Sequence, residues 1–243
     1  MNEEFSAAYK TEIKERANEI LIRSRVIKGF PVMCYELIKE LGKEVAIEVL
    51  PFSWIEKQGR KPEEMLHSDD AETFEMNGRY IIFLNQNMPV VRLRFSASHE
   101  TAHIVLGHDM EVITEYRKAN NPKLKALYER YEAEANYFTA CLLMPEAVIN
   151  RLKALGCRIT KQFLQETFEV SESAAQIRLQ TLNRNSMRYI SYWEKEKSLD
   201  DAVLLKFAGF IQKIAPRQKS YEEDYEYEEQ MQEERNRWLA EGY

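Results

Sequence analysis

Three of the four histidines fall within ten residues, at His99, His103 and His108, and a glutamate, Glu100, stands directly after the first of them. On a helix, residues four apart lie one above the other with Cβ atoms about 5 to 6 Å apart. His99 and His103 can therefore aim one nitrogen each at a single zinc ion at roughly 2.0 to 2.1 Å. Glu100 projects about 100° further round the helix, off the metal but within reach of a water held there. The chemistry implied is metal-assisted addition of water to a carbonyl. Glu100 would act as general base towards the water and then return the proton to the leaving amine.

Catalytic zinc takes three protein ligands and keeps one position open, so a third ligand is required. His108 is the nearest candidate, five residues after His103, with Gly107 four after it. The extended metalloprotease pattern needs glycine three and histidine six residues on. His108 is accordingly expected at the surface or supporting a ligand, and not on the metal. A better source is the segment from Glu132 to Pro145, whose residues Tyr131, Ala135, Phe138 and Leu142 make a helical apolar stripe. Beside that stripe Glu132 and Asn136 share a face. Glu132 is expected to complete the site, with Asn136 hydrogen-bonding and orienting a ligand histidine. Glu134, on the other flank, is the alternative ligand. With thirteen tyrosines in the chain, the residue that would stabilise an oxyanion stays unassigned.

The elements that must position these residues follow from periodicity. Tyr9 to Ile27 carries Ile13, Ala17, Ile20 and Leu21 at helical spacing, and Pro31 to Leu41 reads as a second helix ending at Gly42. Glu44 to Phe52 switches to strand alternation through Val45, Ile47 and Val49. Thr73 to Met76 and Arg79 to Leu84 flank Asn77-Gly78, a hairpin signal. The second of these strands could add an extended substrate along its edge. Pro89 should open the histidine-bearing helix and Gly107 should close it. The remainder reads as helical: Leu124 to Leu143, then Pro145 to Leu155, Lys161 to Phe168, Ser171 to Leu182 and Asp200 to Ile214. The fold class is α+β, mostly helical, with a small antiparallel sheet of about three strands beside the metal-binding helix.

Composition excludes several alternatives. Met1 to Lys10 carries Glu3 and Glu4 where an export signal would be basic, and no apolar run approaches the length of a membrane span. Cys34, Cys141 and Cys157 stand at unrelated spacings and offer neither a disulfide framework nor a zinc knuckle, which fits a cytoplasmic protein. The net charge of −6 is concentrated after Pro216, where nine acidic residues face four basic ones. The nearly neutral body carries no electrostatic footprint for nucleic acid or membrane. A rival reading makes Lys161 to Leu182 a helix-turn-helix beside a structural or catalytically idle zinc site. Its recognition stretch offers only Arg178 as a basic contact.

Taken together, Arg94-Phe95, His99-Glu100, His103, Glu132, Ala135-Asn136, Phe138 and Leu142-Leu143-Met144-Pro145 resemble the ImmA/IrrE family of metallopeptidases in both order and separation. Thr101-Ala102 stands where that family usually has Leu-Gly, and Thr139 where Ala is common, neither at a metal-binding position. The likeness extends over about residues 10 to 185, since Phe168 to Ser171 with Ala174, Ala175, Arg178 and Leu179 are similar to the family's closing helices. The resemblance implies a zincin-like core over 1-150 with a helical region packing on it; periodicity carries that helical region over 151-215, and composition sets apart an acidic Tyr/Glu-rich tail over 216-243. It also implies a zinc endopeptidase, with some members acting on helix-turn-helix repressors of mobile elements or stress genes. No such DNA-binding module is expected before the core, so the repressor substrate would be a separate chain.

Overall fold

A computed structural model describes residues 7–186, 194–216, 231–233 and 235. The described helices are α1 (Ala7–Arg23), α2 (Cys34–Leu41), α3 (Phe52–Lys57), α4 (Pro62–Met65), α5 (Val90–Leu106), α6 (Met110–Ala119), α7 (Lys125–Leu143), α8 (Glu146–Ala154), α9 (Lys161–Phe168), α10 (Glu172–Ser186), α11 (Glu194–Lys206) and α12 (Ala208–Ile214). The strands are β1 (Ile47–Pro51), β2 (Ala71–Met76) and β3 (Arg79–Leu84). Most of the expected acidic tail lies outside the described residues. None of the described helices is long and apolar enough to cross a membrane.

The α+β class holds, but the sheet is mixed and not antiparallel throughout. Asn77 and Gly78 both take positive φ, 55° and 74°, the turn conformation that matches the twist of a two-stranded hairpin, and β2 pairs antiparallel with β3. On its other edge β3 pairs in parallel with β1, Ile47 opposite Tyr80 through Pro51 opposite Leu84. The nineteen residues of α3, α4 and their loops, 52–70, carry the chain past β3 before β2 begins, which is the length a non-hairpin connection needs. In the order β1-β3-β2, β3 is central. It is hydrogen-bonded on both sides and cannot accept a substrate strand, contrary to the edge-addition expectation.

The alternation of β3 divides the core. Ile82 and Leu84 enter the main cluster, while Phe83 turns to the opposite face with Phe52, Ile55 and Leu66. On the main side α5 lies against β2, β3 and α7. Of the predicted stripe of α7, Ala135, Phe138 and Leu142 are fully buried and Tyr131 is half-buried. Each large apolar side chain sequestered in this way contributes roughly 1.5 to 3 kcal/mol. The stripe of α1, at Ile13, Ala17, Ile20 and Leu21, is likewise buried, against α7 and α11.

Helix ends sit where local chemistry places them. Pro89 precedes α5 in an extended conformation, and Gly107 closes it at φ 70°, a left-handed C-cap that favours glycine. The short helical stretch expected from Asp200 to Ile214 is instead shared between two helices, α11 beginning earlier at Glu194 and α12 following Phe207, its N-cap, which is buried in the main core.

Candidate metal centre

Helices α5 and α7 cross at the site. His99 and His103 occupy successive turns of α5, and Glu132 comes from the first half of α7. Their ligand atoms lie within 4.8 Å of one another. His99 Nε2 is 3.0 Å from His103 Nε2 and 3.1 Å from Glu132 Oε2, and His103 Nε2 is 3.7 Å from Glu132 Oε1. Ligands at about 2.0 to 2.1 Å from a tetrahedral ion stand roughly 3.3 Å apart, so this donor set fits zinc. Two unprotonated Nε2 lone pairs directed at each other repel, and a shared cation between them removes that conflict.

The outward nitrogens fix the ring orientation. His99 Nδ1 donates to Asn136 Oδ1 at 3.2 Å, as the shared face of Glu132 and Asn136 predicted. Asn136 is itself exposed, at the mouth of the cleft. His103 Nδ1 lies 2.8 Å from His108 Nδ1, and His108 Nε2 lies 2.9 Å from Glu134 Oε2. The consistent assignment has His103 donating to His108 and His108 donating to Glu134. Arg130 Nε donates to the other oxygen of Glu134 at 2.6 Å. His108 is buried and stacked on Tyr131 at 4.3 Å with an 11° interplanar angle. It is therefore a buried support for a ligand histidine and not a surface residue. Glu134, the alternative ligand, faces His108 and not the cluster.

Glu100 is buried beside this cluster, and burial raises its carboxyl pKa, opposed first by the charge of Arg117. Arg117, from α6, stands 3.7 Å from Glu100 and 3.1 Å from Glu132, with Tyr128 hydrogen-bonded to it. Burial acts against the charge on Arg117, but the two carboxylates outweigh it and its pKa is raised. Glu132 shifts the other way: burial would raise it, yet the hydrogen bond from His99 and the charges of His99 and Arg117 hold it down at about 2. Burial drives His103 towards its neutral, metal-binding form.

Sequence reasoning passed over Arg117, Tyr128 and His67, all of which line the cleft with the cluster. A signal for Arg117 existed. Met110 and Ile113 are the buried positions of α6, and Arg117 continues their stripe as a cation where an apolar residue belongs. A larger apolar hollow, lined by Leu155, Leu204 and Ile211, has only Arg151 and Lys213 as charged groups among the described residues.

Two motif arginines prove structural. Arg94 donates to the Glu169 carbonyl at 2.7 Å and pairs with its carboxylate, tying α5 to the turn after α9. Arg178 is buried and donates to the Met144 carbonyl at 3.0 Å, capping the C-terminus of α7. Its guanidinium is thus unavailable to a nucleic acid, and the helix-turn-helix reading loses its one basic contact.

Two histidines and a glutamate on crossed helices beside a small sheet, with a buried second glutamate next to the first histidine, define a metallopeptidase-type centre. The family model described as the IrrE N-terminal-like domain, of peptidase family M78, matches residues 55–180, just over half of the chain. The chain belongs to that family, a family of metallopeptidases. No curated protein matches it significantly.

Proposed function

We propose that this protein is a cytoplasmic zinc endopeptidase that cleaves a separate protein chain, a helix-turn-helix repressor of a mobile element or stress response. The convergence of His99, His103 and Glu132 on one point, with Glu100 alongside, carries the reading. When bound there, zinc lowers the pKa of a coordinated water from 15.7 towards about 7 and polarises the scissile carbonyl. His99 and His103 present Nε2, and their Nδ1 hydrogen bonds keep the rings from turning. Glu100 takes a proton from the attacking water and delivers it to the leaving amine nitrogen as the C–N bond breaks. Arg117, 3.7 Å from Glu100, opposes the effect of burial on that carboxyl.

The test compares wild type with Glu100→Gln for zinc content and for cleavage of repressor-like proteins encoded beside the gene. Zinc should be retained by both, at one ion per chain, and cleavage by the wild type alone. Wild type prepared without chelators that holds no zinc, or equal cleavage by the two proteins, overturns the reading.

A further inference from the structure

Met110, Ile113 and Arg117 share one face of α6, at spacings of three and four residues, and α6 packs against α7 and β2. The first two are buried apolar side chains. Arg117 continues their row with a side chain only 10 % exposed. A cation taken out of water is costly unless it is paired, and an apolar group in its place is often neutral or stabilising. The helix has no structural need of an arginine here, so the reason for it lies in what the guanidinium touches.

One nitrogen, Nη2, reaches two acids from different helices. It donates to Glu132 Oε1 at 3.1 Å and stands 3.7 Å from Glu100 Oε1. The first distance is a hydrogen bond and the second only an ion pair. The two oxygens of Glu132 therefore have different surroundings. Oε2 is 3.1 Å from His99 Nε2, close to the roughly 3.3 Å that separates ligands around a tetrahedral zinc. Oε1 is 3.7 Å from His103 Nε2 and is bonded to Arg117 instead. To ligate through both oxygens, Glu132 would have to draw Oε1 in towards the histidines and away from Arg117. A buried charged donor left without its acceptor is among the costlier losses in a protein.

We propose that Arg117 is a positioning residue that holds Glu132 to ligation through one oxygen, by keeping Oε1 for itself, and so preserves the open position that the attacking water needs. The assignment rests on the zinc endopeptidase reading above. His99, His103 and one oxygen of Glu132 make three ligand atoms, the number a catalytic site has, whereas a second oxygen would make four and close a tetrahedral site. Charge balance alone does not account for the arrangement. A guanidinium that merely neutralised two acids would have no preference between the oxygens of Glu132, and the one taken here is the one further from the histidines.

The test reads the ligand shell by X-ray absorption at the zinc edge on the zinc-loaded full chain, with acetohydroxamate affinity and zinc affinity as further readouts. When both oxygens of a carboxylate bind, its carbon lies closer to the metal than when one does. Wild type should lack that near carbon and should bind acetohydroxamate. Arg117→Met should show the near carbon, hold zinc at least as tightly as wild type and bind acetohydroxamate about 10-fold more weakly, the lower end of the effects seen when a partner of a metal ligand is removed. Arg117→Gln, polar but two bonds too short to reach Oε1, should behave alike and decides if the methionine variant does not fold. A residue that merely supported a ligand would on removal lower zinc affinity by about 10- to 100-fold, and that result overturns the assignment. A wild-type shell with both oxygens bound, a variant shell unchanged from wild type, or a variant with wild-type acetohydroxamate affinity overturns it too. Wild type that takes up no zinc defeats the endopeptidase reading itself, and the role of Arg117 with it.

Discussion

His103 and His108 meet Nδ1 to Nδ1 at 2.8 Å, so that one histidine is the hydrogen-bond acceptor for the other, with Glu134 behind at 2.9 Å. Removing the acceptor leaves a buried N–H without a partner and frees the ligand ring to turn. His108→Ala should lower zinc affinity by about 10- to 100-fold, measured by competition with a calibrated chelator. An affinity within a factor of two of wild type would show that the relay does not support the site.

Glu132 and Glu134 should separate cleanly. Glu132→Gln removes an oxygen from the cluster and should abolish stoichiometric zinc binding at micromolar protein. Glu134→Gln leaves the cluster intact but weakens the hold on His108, so zinc should still bind, more loosely. Elemental analysis after gel filtration reads both, and retention of full zinc by Glu132→Gln would exclude it as the third ligand.

Cys34 gives a pH dependence. Burial pushes its thiol up to about 11, opposed first by the hydrogen bond with Ser98. The native state therefore holds this proton more tightly than the unfolded chain, in which a thiol titrates at about 8.5. The associated stability is complete below pH ~8.5 and is lost as pH climbs towards 11, on the order of 3 kcal/mol. Urea denaturation at pH 8, 9.5 and 10.5 should show that decline, and Cys34→Ala should remove most of it. Parallel slopes for the two proteins would refute the attribution.

Arg178 should matter to stability and not to nucleic acid. Arg178→Met deletes the donor to the Met144 carbonyl inside the core and should cost about 1 to 3 kcal/mol, read as a drop in urea midpoint. Zinc affinity should stay within a factor of two. Salt-dependent duplex binding by the wild type that Arg178→Met abolishes would reverse this view.

Much of the site was written into the sequence because its rules are local. The four-residue spacing of His99 and His103, the Pro89 and Gly107 boundaries of α5, the Asn77-Gly78 turn and the buried stripe of α7 each depend on backbone geometry within one element. The resemblance to one peptidase family rested on the same short-range patterns, and the family match over residues 55–180 agrees with it.

What the chain order could not supply was the relation between elements. Glu132 and Glu134 are two residues apart, about 200° round the helix, and which of them meets the histidines is set by the face α7 turns to α5. His108 is drawn inward by Glu134 and Tyr131, partners more than twenty residues away. β3 is central because β1 returns to it across a long connection, a pairing that no alternation pattern contains. Arg117 and His67 reach the cleft from α6 and from the loop before β2, elements that flank the metal helix on either side in sequence. Spacing on a single helix pointed to His99 and His103 as the candidate metal-binding pair and the shared face of Glu132 and Asn136 to their neighbours, while tertiary packing alone brought in His108, Arg117, Tyr128 and His67.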